Sequence, residues 1–500
     1  MSPTRTPLNL IILMTASAAQ VIIQLLIQVV LAYQFGARAD ADALSAALAI
    51  PTLISAIISG SLGYVLIPEL VTCFSNPEQR LLGWRIAGMT GLVTGAVACL
   101  ATALVMASAG LITRGLYGEF PEVQQDLVQR LLMQLAWQIL LSALMGWALA
   151  IHHSRHSFVL PAVGGVVGTA TTLLLAATTG AWGIQWVALA INAGSLVSLF
   201  FHLLTIAHRL QFGSIPLHHG WRIAQSLLPL ILGGIYLRID PVVDRALASA
   251  LDEGRVAQLH YAQRMVVALL GISTSGLSVI AFPQLASCLA AEGRAGFVEQ
   301  FAQAARRLIC LSMPIALGLS CYAVPVVSDL LQRGRFTAAD SQVVGSLLIV
   351  YMGMFIAASW GELLARGFYT LGDTRTPTLV GAFALTLGLI AKWYSLPVWG
   401  IWGIAAATSA YTLLSVGIMA MWLVARNGRA IFGGTPRTLV QCLIAAACAC
   451  GLCWIPYTLA LGRTWTAAPL GAATYLLMLW LVGNEDAQDL LRWLTSKFRR

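Results

Sequence analysis

The stretch LIILMTASAAQVIIQLLIQVVLAYQFGA (residues 10–37) decides the architecture, because no charged residue occurs anywhere from Thr6 to Ala37. A bilayer span needs about 20 mainly apolar residues in a helix, and this stretch exceeds that length. It also carries a polar seam. Gln20, Gln24 and Gln28 recur every four residues, a step that drifts only about 40° around a helix, so they share one face. Ser17 extends that face by a further turn. A neutral seam of this kind either ties helices together or lines a cavity, and the sequence leaves both open.

The rest of the chain repeats the pattern. Of its 500 residues 58% are hydrophobic and 10% charged, with mean hydropathy +0.81, whereas soluble domains carry about 25% charged residues. Fourteen segments qualify as spans: 8–32, 44–68, 86–112, 131–151, 158–180, 183–207, 222–250, 257–284, 308–328, 342–365, 377–398, 400–425, 438–461 and 465–483. The expected fold is an all-α polytopic membrane protein. The first segment is too long for the core of a signal peptide and lacks a small-residue cleavage site.

Loop charge orients the chain. With the N-terminus in the cytoplasm, the inner loops and tails hold 18 of the 29 Lys and Arg residues and the outer loops 7. Both termini are then expected inside, in a plasma membrane. The net charge of +9 follows from this bias, and no nucleic-acid partner is implied. The tail DLLRWLTSKFRR (489–500) reads as an amphipathic helix on the anionic inner leaflet. The nine cysteines lie in or beside apolar segments with no His or carboxylate near enough to suggest a metal site, and no cofactor is implied.

A weak duplication organises the segments. SGSLGYVLIPELVTC (59–73) aligns with TSGLSVIAFPQLASC (274–288), pairing Pro68 with Pro283, and Pro161 pairs with Pro377 at nearly the same offset. A six-segment unit repeated in one orientation predicts two parallel lobes around a central cavity, with two helices left over. The expected divisions are 1–210 (helices one to six), 211–430 (helices seven to twelve) and 431–500 (the last two helices and tail).

Ionisable residues inside the membrane cost about 2.5–3.5 kcal/mol each by insertion scales and are functional candidates by default. They are Arg238, Asp240, Asp244 and Arg245 in segment seven, Arg264 in segment eight, Glu362 in segment ten and Lys392 in segment eleven. All belong to the second repeat. The first offers amides instead: the opening seam, and Gln134, Gln138 and Ser142 at the same spacing in segment four. The aspartates of segment seven can pair with their flanking arginines, Glu362 can serve helix packing, and Lys392 can snorkel to the interface. Arg264 has no acid within one turn, which favours a cavity role. No metal cluster, nucleotide loop or nucleophile–base pair suggests an enzyme.

FGARADADALSAALAIPTL (35–53), VDRALASALDEGRVAQLHYAQRM (243–265) and LLARGFYTLGDTRTP (363–377) resemble the MurJ/MviN family of lipid II flippases, within the multidrug/oligosaccharidyl-lipid/polysaccharide exporter superfamily. The resemblance runs through about residues 8–430. It implies alternating access and an undecaprenyl-pyrophosphate-linked glycan substrate held by cavity arginines. Cell-wall or polysaccharide synthesis proteins are implied as possible partners, alongside membrane lipids. Arg264 matches the family's helix-eight arginine, and Asp42 an acid after the first span; Arg238 and the Gln20/Gln24/Gln28 seam are further candidate substrate contacts. The chain departs from the pattern by lacking the helix-one arginine and the arginine pair after the proline of helix two, where Ser55 and Ala56 follow Pro51. Val267 stands where an acid usually follows the helix-eight arginine. Some relatives bind sodium between helices seven, eleven and twelve, yet this chain has no Asp, Glu, Asn or Gln between Thr378 and Gly400, only Lys392. Three expectations follow: a lipid II flippase, a flippase for another lipid-linked saccharide, or a non-transporting scaffold.

Overall fold

The computed structural model describes residues 6–214, 225, 227, 231, 233–456 and 464–484, and among these every regular element is helical. The elements used below are α1 (Thr6–Phe35), α2 (Ala39–Ala47), α3 (Ala49–Ser75), α4 (Arg80–Ala107), α5 (Ala109–Leu116), α6 (Glu122–Leu135), α7 (Trp137–Ser154), α8 (Val159–Thr179) and α9 (Ile184–Leu203). After them come α10 (Asp240–Ala248), α11 (Arg255–Leu331), α12 (Ala338–Thr370), α13 (Arg375–Asn427), α14 (Thr435–Pro456) and α15 (Thr464–Leu481). Ten helices among the described residues are long and apolar enough to cross a membrane. One of them, Arg375–Asn427, contains sequence segments eleven and twelve. Segments one, seven, eight, thirteen and fourteen fall partly on undescribed residues or side chains, and the amphipathic tail lies outside the described residues.

The helices are polarised as lipid demands. Along α4, Thr90, Thr94, Ala98 and Thr102 are buried, whereas Leu92, Val93, Val97, Leu100 and Leu104 are exposed. In water this would be inside out. In a bilayer the large apolar side chains meet acyl chains, and small or hydroxyl residues let helices approach closely. Thr90 and Thr102 spend their hydroxyls within the helix, donating to the carbonyls of Ile86 and Ala98 at 2.7 and 2.8 Å.

The chain forms two compact units, Met1–Ala257 with Arg333–Phe336, and Gln258–Gln332 with Thr337–Arg500. In the first, Leu66, Leu70, Ile86, Trp147, Ile151 and Ile206 form a core, and the Trp147 indole donates to the carbonyl of Ala87 at 3.0 Å. In the second, Phe297, Phe301, Leu364, Phe368 and Leu423 pack together. Two glycines end segments by leaving helical geometry: Gly293 (φ 68°) within α11 and Gly400 (φ 55°) within α13. Both take the left-handed φ that costs glycine little, so segments eight and nine, and eleven and twelve, are separate helices joined with almost no loop.

Candidate functional site

In the first unit the opening seam divides. The amide of Gln20 lies against α8, where a Cβ at Gly165 would stand 3.3 Å from its Nε2. Gln24 is exposed, and Gln28 is half-buried with an Oε1 that is enclosed and has no hydrogen-bond partner among the described residues. The amide that fixes α1 to α8 is one the seam does not include: Gln34 Nε2 donates to the carbonyls of Ala176 and Ala177, both at 3.2 Å. In segment four, Gln138 is consumed by neighbours. Its Nε2 donates to Asn192 Oδ1 at 2.7 Å, its Oε1 accepts from Ser195 at 2.9 Å, and its carbonyl accepts from Ser55 at 3.2 Å. Ser59 likewise donates to the carbonyl of Ser142 at 2.8 Å. Gln138 is therefore interhelical glue, and Gln24 and Gln28 keep polar groups for other partners.

Segment seven brings its charges to different surroundings. Arg238 is exposed and reaches α3, where its Nη1 donates to the carbonyl of Ala56. Gly60 leaves room for the same guanidinium, since a Cβ there would lie 3.0 Å from Arg238 Nη2. One turn on, Asp240, Asp244 and Arg245 are buried. Arg245 is near Tyr117, whose phenol burial pushes up to about 12 against the opposing pull of that guanidinium. The Tyr117 hydroxyl donates to the carbonyl of Ala46 at 3.0 Å, fastening the end of α2.

Asp42 is wholly buried, and its carboxylate accepts the backbone N–H of Gly254 at 2.5 Å and of Ala257 at 2.6 Å. It thus caps the first turn of α11, where helical N–H groups have no internal partner and the helix dipole favours an anion. Glu253 answers by accepting from the N–H of Ala39 at 3.0 Å. The turn bearing Gly254 (φ 88°) comes so close that a Cβ would meet the carbonyl of Ala37 at 2.4 Å. A third connection closes the joint, the N–H of Arg335 donating to the carbonyl of Tyr33 at 3.0 Å. The motifs around residues 35–42 and 252–257 thus hold each other in place. Each oxygen of Asp42 is engaged by a backbone N–H.

In the second unit Arg264 is half-buried, with Nε 3.5 Å from His260 Nε2 one turn earlier. Its helix is fixed to α12 by two residues that precede it: Gln258 donates to Asp340 at 3.0 Å and Gln263 to the Tyr351 hydroxyl at 3.1 Å. Glu362 pairs with Arg366 on its own helix at 2.6 Å. Lys392 is fully buried, with its ammonium 5.5 Å from the centre of the Tyr411 ring. It does not snorkel. Its stem is enclosed by the unit, and the ring face supplies part of the solvation that water would give. Asp373, in the run FYTLGDTRTP, opens α13 by accepting from Thr376 N and Oγ1 at 3.0 and 2.7 Å, and it pairs with Arg426 at 2.6 Å. Among the described residues no three His, Cys, Asp or Glu side chains gather as a metal site.

The family profile described as lipid II flippase MurJ matches residues 31–468. A probable lipid II flippase MurJ of Vibrio cholerae serotype O1 is 27% identical over 169 residues, 31% of this chain and 31% of that relative's length. The solved lipid II flippase MurJ in an inward closed conformation is similar with a TM-score of 0.80 at 17% identity, covering 96% of this chain and 100% of the other. An inward-facing multidrug resistance MATE family transporter of the MOP superfamily gives 0.69 at 13% identity, covering 84% and 98%. At these identities the two structures speak for the fold.

Proposed function

The chain belongs to the MurJ family of lipid II flippases, and from that premise we propose that it carries lipid II from the inner to the outer leaflet of a bacterial plasma membrane. The substrate is an undecaprenyl-pyrophosphate-linked glycan, and transport is by alternating access of the duplicated halves 1–210 and 211–430, both termini being cytoplasmic. The diphosphate is the part that demands charge. Arg264 and Arg238 are the proposed ligands, since a guanidinium binds two phosphate oxygens in a fork that an ammonium cannot reproduce. The exposed Gln24 and half-buried Gln28 offer neutral hydrogen bonds to hydroxyls and amides of the headgroup.

The observation that carries this reading is the placement of Arg238 on Ala56 and Gly60 of α3. The family pattern puts an arginine pair at Ser55 and Ala56, and this chain brings a guanidinium to the same stretch from segment seven. Outward movement of a headgroup with about two negative charges gains about 2.3 kcal/mol per charge per 100 mV from an interior-negative potential. The test is complementation of a strain depleted of its own lipid II flippase. The wild-type chain restores growth and exposes lipid II on the outer face, and Arg238→Ala and Arg264→Ala do not. Failure of a correctly inserted wild-type chain would assign the substrate to another lipid-linked glycan.

A further inference from the structure

Three arginines of the first unit come from three different connections. Arg80 opens α4, Arg155 follows α7, and Arg209 ends the short turn Ala207–Arg209 after α9. The backbone gathers them. The N–H of Gln211 approaches the carbonyl of Trp84 at 3.4 Å, and Gly88 admits the carbonyl of Gln211 where a Cβ would meet it at 2.2 Å. The connection bearing Arg209 thereby lies along the first turns of α4. Arg155 is stacked over the Trp84 ring at 5.1 Å, and Arg209 donates to His208 at 3.2 Å. Burial, then the neighbouring Arg209 and Arg80, hold the Arg155 guanidinium below its ordinary value. Among the described residues, none of the three has a carboxylate within ion-pair distance.

Like charges held together without an acid call for an anion. The surroundings indicate its kind. Leu81, Phe158, Leu204 and Phe212, close in sequence to these arginines, are exposed, which suits acyl chains and not a freely soluble phosphate. We propose that Arg80, Arg155 and Arg209 form a docking surface for the phosphodiester headgroup of an anionic phospholipid, separate from the transported substrate. Assignment to the cytoplasmic leaflet rests on the orientation proposed above, where all three arginines fall on inner loops.

The test is native mass spectrometry of the purified full-length chain, titrated in micelles with phosphatidylglycerol or phosphatidylcholine. A basic residue near an anionic headgroup contributes about a fivefold change in affinity. Wild type should therefore prefer phosphatidylglycerol, Arg155→Gln and Arg209→Gln should each weaken that preference about fivefold, and the double variant should abolish it. Arg155→Lys should keep most of it, because the cation is retained. Arg209 is exposed on a connection, so Arg209→Gln keeps the test decisive if Arg155→Gln disturbs packing on Trp84. No headgroup preference in wild type, or an undiminished one in Arg209→Gln, would overturn the proposal. Displacement of the lipid by millimolar inorganic phosphate would overturn it too, making this a soluble-anion site. Binding in micelles does not depend on orientation, so an inverted topology would move the leaflet and leave the surface standing.

Discussion

Replacing Asp42 separates a structural carboxylate from a substrate-binding one. Its two oxygens accept backbone N–H groups at 2.5 and 2.6 Å in a fully buried position. Hydrogen bonds to a charged acceptor contribute about 1.5–3 kcal/mol each, so the pair amounts to about 3–6 kcal/mol before relaxation. Asp42→Ala leaves two helix N-terminal donors facing a void, and water entering that void recovers part of the loss. We expect a net cost of about 3 kcal/mol. Asp42→Asn keeps one acceptor but turns an NH2 toward the second N–H, so about half of that loss should remain. The assay is thermal unfolding of the purified chain, with limited proteolysis at the turn Asp252–Arg255, alongside lipid II affinity measured below the melting range. Melting should fall in the order wild type, Asn, Ala, with affinity unchanged in the molecules that remain folded. An Asp42→Ala chain that melts like wild type yet loses lipid II binding would refute the capping role and return Asp42 to the substrate.

Gly60→Val should push the Arg238 guanidinium off α3, since a Cβ there lies 3.0 Å from Nη2; we expect lipid II affinity to drop about tenfold, one charge-assisted contact. Gly63→Ala, with nothing within 4 Å, should bind normally, and equal binding by both variants would disprove the arrangement. Arg264→Ala should abolish complementation at normal expression, with Arg264→Lys partly active; full activity of the Ala variant would exclude Arg264 as a diphosphate ligand. Lys392→Ala should cost about 3 kcal/mol through the cavity and the lost ring contact, and flipping by the wild type should proceed equally in sodium and potassium buffers. Sodium stimulation would contradict the expectation that Lys392, the one charge between Thr378 and Gly400, takes the place of the sodium that some relatives bind. Hydrogen bonds from Thr376 and Arg426 hold the Asp373 carboxyl at about 2, below its usual 3.8. The stabilisation is therefore fully present above about pH 4 and lost as pH falls through 2. The melting difference between wild type and Asp373→Asn should be constant from pH 5 to 8 and shrink steadily below pH 4; a gap undiminished at pH 2 would disprove it.

The sequence by itself determined the class of fold, because an uncharged run such as residues 6–37 has no stable place except a membrane, and lipid requires every backbone group to be satisfied within a helix. It also located the charged residues of segments seven, eight, ten and eleven, since ionisable residues are rare enough in spans to stand out. What those charges touch was decided by tertiary structure. Four-residue spacing makes Gln20, Gln24, Gln28, Gln134 and Gln138 look alike, and only neighbouring helices divide them into the saturated Gln138, the packed Gln20 and the exposed Gln24. Arg238 and Ala56 are 182 residues apart, and Asp42 and Ala257 are 215, separations at which no periodicity carries information. The cap on α11 and the guanidinium on α3 exist because backbone groups at helix ends and beside glycines are open to whichever side chain the fold delivers there, and sequence pattern cannot name that side chain in advance.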